Sequence, residues 1–183
     1  MDMSLQFRKV MKALFPHARI VADRFHLFRL VQWAMERVRK AEQKRLTLHS
    51  RTFKSNKRIL TKSYEKLTAN ELIKLEGILG CSPRLRQAYG LKYAFSKVLQ
   101  FTEQADIDWA LHAWLDLVKS ANLPEMNSLL HTFTYWKDEI IAALRYSYSN
   151  GFTEGCNNKI KVLKRVSFGL RNFIRFRTRI FCI

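Results

Sequence analysis

The chain has 183 residues, enough for one domain or at most two, with a sizeable core. Its 33 lysines and arginines against 15 acids give a net charge of +18 and a pI near 10.2, which points toward polyanions, nucleic acid first, with a ribosome-like or simply basic protein as the competing reading. Cys81, Cys156 and Cys182 lack CxxC spacing, so neither a disulfide framework nor a zinc site is suggested; no apolar run reaches the length of about 18 residues that a membrane span needs, and the N-terminus lacks a signal-peptide apolar region.

Asp2 stands almost at the start. Phe7, Val10, Met11 and Leu14 then repeat at helical spacing, with Ser4 as N-cap and Pro16 closing the helix. Arg19 to Ala22 is a short β-type run that ends on Asp23, the place where α/β folds put functional side chains. A long helix is expected from Phe25 to about His49, with Leu27, Leu30, Val31, Ala34 and Val38 on one face and a strongly basic far end. Thr68 and Glu71 form a capping box that opens a helix toward Leu79, and Ser82-Pro83 caps the next, which carries Leu85, Ala88, Leu91, Tyr93 and Phe95. Asp106 to Ala121 and Pro124 to about Tyr146 are two further helices. Their Trp109, Trp114, Phe133, Tyr135 and Trp136 read as core residues of a helical bundle rather than as a binding platform.

The rest of the chain is organised around the stretch from Ser149 to Asn172. Ser149, Asn150 and Gly151 signal a turn and Gly155 follows Glu154, so a helix is predicted from about Cys156 to Val166. At about 100° per residue, Asn157, Lys164, Lys161, Arg165, Asn158 and, if the helix reaches back, Glu154 share one face. Cys156, Ile160, Leu163, Val162 and Val166 share the other, and Lys159 is a misfit that must snorkel from the apolar side. An ordinary solvated face is one reading. A carboxylate and cations at a helix N-terminus also suit an ion or a phosphate. No acid follows Glu154, whereas eight lysines and arginines do, interleaved with Phe168, Phe173, Phe176 and Phe181; a second basic stretch runs from Arg37 to Lys66. DNA bound by such residues should release counterions and weaken steeply with salt.

These residues carry a resemblance. Glu154-Gly155, Asn157-Asn158, Ile160-Lys161, Lys164-Arg165 and Gly169-x-Arg171-Asn172-Phe173 resemble the end of bacterial insertion-sequence transposases of the ISL-three family, of the DDE class. The run from Phe15 to His26, with Asp23-x-x-His26, is a second match far upstream; the region between matches in helical character only. The resemblance implies a mainly α chain with a minor α/β part: an incomplete RNase H-like core over 1–26 and 147–183, interrupted by an all-α insertion over 27–146. It also implies DNA strand cleavage and transfer with Mg²⁺ or Mn²⁺, because hard oxygen ligands hold two divalent ions about 4 Å apart in such sites. Glu154 takes the family's glutamate position, and the second aspartate is either Asp23, which is preferred, or Asp2. As alternatives, Asp23 is a helix N-cap and Asp2 a disordered terminal residue. His26, Asn157 and Asn158 would support the site, and Lys161, Lys164, Arg165 and Arg171 would hold DNA phosphates.

The family's first aspartate, zinc-binding region and helix-turn-helix should precede residue 1. The chain therefore reads as a C-terminal fragment that is inactive alone, with apolar surface exposed on the Glu154 helix. The alternative is a non-catalytic DNA-binding fragment or transposition inhibitor. The partners implied are DNA carrying terminal inverted repeats and a full-length transposase in a homo-oligomer, in the cytoplasm and associated with the nucleoid.

Overall fold

A computed structural model describes residues 3–101, 103–146, 148, 151–168 and 172–182. Of the described residues 81% are helical, and none is in a strand. It divides into two compact units, Met1–Ser147 and Tyr148–Ile183.

The first unit opens with α1 (Leu5–Leu14), where Ser4 caps the first turn by accepting the Phe7 N–H. The helix forms as its spacing predicts, yet Phe7, Val10 and Leu14 all stay exposed. Arg8 fastens α1 down. It pairs with the buried Glu139 carboxylate at 2.6 Å, and its guanidinium lies 4.8 Å from the Trp136 ring centroid. The expected β-type run from Arg19 to Ala22 is not a strand. A ladder needs a second extended segment, and the Ala22 N–H donates instead to the helical carbonyl of Glu139 at 3.0 Å.

Next comes α2 (Arg24–Arg45), the axis of the unit, with Leu27, Val31, Ala34, Met35 and Val38 buried along one side. Short α3 (Ser50–Ser55) and α4 (Lys57–Thr61) follow, then α5 (Ala69–Gly80), opened by the expected capping box of Thr68 and Glu71. Helix α6 (Pro83–Val98) starts at the expected Ser82 cap and packs along α2. Helix α7 (Gln104–Ser120) packs on α6, and its side chain Trp114 is the largest fully buried one in the unit. Phe95, Trp114 and Phe133 meet with ring centroids 4.7, 5.3 and 5.1 Å apart, and the indole N–H of Trp114 donates to the Leu91 carbonyl at 2.9 Å. Trp109 and Tyr135, also expected in the core, are exposed, because they lie off the buried stripes of their helices.

The helix expected from Pro124 to Tyr146 is broken into a one-turn 3-10 segment, α8 (Asn127–Tyr135) and α9 (Lys137–Arg145). The break falls at Trp136, whose ψ of 20 leaves the helical region while its side chain is buried. Burying that indole under Arg8 decides the geometry against the local helical pattern.

Ionic contacts also bind the core. Glu42, fully buried, accepts from Ser82 Oγ at 2.6 Å, from Arg84 at 2.9 Å and from Arg45 at 2.7 Å; Arg84 reaches on to Glu125 at 3.0 Å. Those bonds hold the Glu42 carboxyl down at about 2, the Arg45 guanidinium first among them. The Lys92 ammonium is buried against the carbonyls of Leu60 and Lys62, at 2.7 and 2.9 Å, and burial pushes it down to about 8. Several cations of the basic stretch from Arg37 to Lys66 are thereby committed within the unit. Arg39 pairs with Glu36, Lys62 with Glu71, and Arg37 donates to the Glu125 carbonyl.

The second unit consists of α10 (Gly151–Val166) and α11 (Phe173–Phe181), which pack on one another. Neither helix has a buried residue. Arg179 donates to Ser167 Oγ at 3.2 Å, and Asn172 caps α11 by accepting the Arg175 N–H at 3.1 Å. Helix α10 starts five residues before the expected Cys156, so Glu154 falls in its first turn. An interior glycine weakens a helix by about 1 kcal/mol without ending it, and Glu154 is favoured at the positive end of the helix dipole. On the apolar side Val162 and Val166 are more than half exposed, while Cys156, Ile160 and Leu163 are half-buried.

Candidate functional site

The Asp23 corner is built where the chain turns into α2. Asp23 is the N-cap of α2: its carboxylate accepts the Phe25 N–H at 2.9 Å, and its other oxygen lies 3.1 Å from His26 Nδ1. Both side chains are buried. A carboxylate only accepts, so the proton of this bond sits on Nδ1 of the imidazole. The alternative reading of Asp23 as a helix cap is therefore correct as local structure, but it uses one oxygen; the other is turned to a histidine one helical turn on, which a cap does not need.

Arg24 holds this corner in place. It donates to the carbonyls of Ala143 and Leu144, at 2.6 and 2.5 Å, which satisfies acceptors at the C-terminal end of α9. With Ala22 bonded to the Glu139 carbonyl, both chain neighbours of Asp23 are anchored to the same helix. A cleft of about 670 Å³ opens nearby between the chain around Pro16 and α9, edged by Lys12, Arg19, Asp138, Arg145 and Tyr146. Arg19 donates to the Tyr146 hydroxyl and stacks over its ring at 5.3 Å. The sequence reading missed Arg24, Arg8 and Glu139, because nothing in the spacing of Arg24 and Ala143, or of Arg8 and Glu139, marks them as partners.

In the second unit, Glu154 occupies the first turn of α10, and Asn157, Asn158, Lys161, Lys164 and Arg165 are all exposed farther along it. Lys159, expected to snorkel, is exposed as well. Arg175, Arg177 and Arg179 continue the cationic series on α11. Asp2 and Arg171, both singled out by sequence, lie outside the described residues.

Compared with known families, residues 1–180 match the ISL-three family of the DDE class, described as Transposase. The chain belongs to this transposase family. The transposase for insertion sequence element IS1001 of Bordetella parapertussis is 24% identical over 93% of the chain and 43% of its own length. The transposase for insertion sequence element IS1557 of Mycobacterium tuberculosis is 31% identical over 67% of the chain and 28% of its own length. A Lactococcus lactis protein named ATP-dependent protease is 34% identical over 65% of the chain and 36% of its own length. The chain thus spans less than half the length of each of these relatives. No solved structure matches it. None of the described helices of this transposase chain is long and apolar enough to cross a membrane.

Proposed function

We propose that this chain is the part of a DDE-type transposase that supplies the second and third carboxylates of a divalent-metal site, Asp23 and Glu154, for DNA strand cleavage and transfer. The observation that carries the reading is the family match over residues 1–180, a span that includes both Asp23 and Glu154. In this reading residues 1–26 and 147–183 are parts of an RNase H-like core and 27–146 its all-α insertion. Asp2 is the alternative second aspartate.

The donor chemistry fits Mg²⁺ or Mn²⁺. Asp23 and Glu154 offer hard oxygens, and each Asp23 oxygen keeps a lone-pair direction beyond its bond to Phe25 or His26. Divalent ions held there would activate the attacking oxygen and stabilise the leaving one. The chain's own residues have separate tasks: His26 fixes the Asp23 carboxylate, Asn157 and Asn158 support Glu154, and Lys161, Lys164, Arg165 and Arg171 hold phosphates of DNA carrying the terminal inverted repeats. The family's site takes three carboxylates, and Asp23 and Glu154 would fill two of those places. In a longer transposase or a homo-oligomer the same residues would act on DNA in the cytoplasm, at the nucleoid.

The test is Mn²⁺ titration of the chain followed by electron paramagnetic resonance. Binding should weaken about tenfold or more in Asp23→Asn and in Glu154→Gln. Unchanged Mn²⁺ binding in both variants would defeat the assignment. A second reading, a non-catalytic DNA-binding chain or transposition inhibitor, is favoured by the acid-free series of exposed cations on α10 and α11. It predicts salt-sensitive duplex binding that both variants retain, together with no metal binding at all.

A further inference from the structure

Helix α2 carries Phe25, Arg29 and Trp33 four residues apart, hence along one side. The Arg29 guanidinium lies 5.5 Å from the Phe25 ring centroid and 4.8 Å from that of Trp33, a cation between two π faces. Phe25 is 60% and Trp33 51% exposed. Beside them a cleft of about 210 Å³ is lined by Met3, Ser4, His26, Arg29 and Leu30, so one edge of the ladder faces the same small hollow as His26, the partner of Asp23.

Phe25 and Trp33 leave about half of each side chain in water and forgo that part of the free energy of burial. A protein layer laid over them would have to strip water from the Arg29 charge as well, which costs more unless it brings an acid. A nucleotide meets both demands at once: its base presents a π face to the rings and its phosphate meets the guanidinium. Within a duplex the bases are already stacked on one another, so an unpaired nucleotide offers a face that interior base pairs do not.

We propose that Phe25, Arg29 and Trp33 form a stacking platform for an unpaired nucleotide of the DNA strand led to the Asp23 corner. The proposal rests on the reading of the chain as a DNA-acting transposase and adds the state of DNA that this side of α2 selects. Trp33 and Phe25 stack the base, and Arg29 neutralises its phosphate.

The test uses the chain carrying Trp109→Phe, which removes the other exposed indole among the described residues. It is titrated, without metal, with a twelve-nucleotide oligothymidylate and, at equal phosphate concentration, with a long blunt-ended duplex that has no loop. Oligothymidylate should quench the tryptophan emission and the duplex should not. Trp33→Ala should weaken oligothymidylate binding about tenfold, with duplex binding within twofold, and Trp33→Phe should restore most of the loss. Arg29→Ala should weaken oligothymidylate binding in the same way and serves as the second probe if Trp33→Ala lowers the melting temperature. Equal losses for both ligands, or none for either, would overturn the platform. So would a concentration-dependent sedimentation shift that Trp33→Ala abolishes, since a second copy of the chain would then occupy the face. Absence of duplex binding in the parent chain would instead overturn the DNA-acting reading itself.

Discussion

Glu42 shows how a single residue can be misread from a basic stretch. Among so many lysines and arginines it looks like a minor acid, yet it is the buried acceptor that joins α2, Ser82 and Arg84. Glu42→Ala strands these donors, so it should destabilise the chain by about 3–5 kcal/mol in urea unfolding. The carboxyl is held at about 2 against an ordinary 4.5, so its stabilisation is complete above about pH 4.5 and is lost as pH falls toward 2. Lys92 runs the other way. Its folded value of about 8 lies below the ordinary 10.5, so the unfolded chain binds more protons between the two and stability should rise with pH across that window. Melting temperatures from pH 8 to pH 10 should show this rise in the parent chain and lack it in Lys92→Met, with lower stability throughout because the Leu60 and Lys62 carbonyls lose their donor.

At the scale of the element, what proved legible was what is local. The Ser4, Thr68 and Ser82 caps and the stripe of α2 depend on neighbours within a turn or two, and the structure repeats them. Thr68→Ala should accordingly cost about 1 kcal/mol, read by thermal unfolding. The break at Trp136 and the absence of a strand at Arg19 to Ala22 were not legible, since each is decided by a partner more than a hundred residues away, Arg8 in one case and Glu139 in the other. The Asp23 corner was half legible. The Asp-x-x-His spacing marks the pair, whereas the Arg24 anchor to α9 has no sequence signature. Arg24→Ala leaves the two carbonyls without that donor and frees the turn, so it should weaken Mn²⁺ binding while leaving Asp23 and His26 intact, a loss that Arg24→Lys restores only in part because a single ammonium cannot reproduce the fork.

For the whole molecule, net charge indicated polyanion binding but not where it occurs. In the basic stretch from Arg37 to Lys66, Arg37, Arg39, Arg45, Lys57 and Lys62 are engaged with acids or carbonyls of the same unit, whereas the described cations of α10 and α11 are exposed. Duplex affinity should therefore fall with salt with a log–log slope of about −4 or steeper, and the triple change Lys161→Ala, Lys164→Ala, Arg165→Ala should flatten that slope by about 2 to 3. Lys57→Ala with Lys62→Ala, at cations paired with Glu36 and Glu71, should flatten it less per charge removed. The central claim, that Asp23 and Glu154 serve one metal site, is tested most directly by a double-mutant cycle on Mn²⁺ binding to the chain. If they share an ion, Asp23→Asn with Glu154→Gln binds little more weakly than either single variant, a clear departure from additivity. Losses that simply add, or a variant that binds as the parent does, would contradict it.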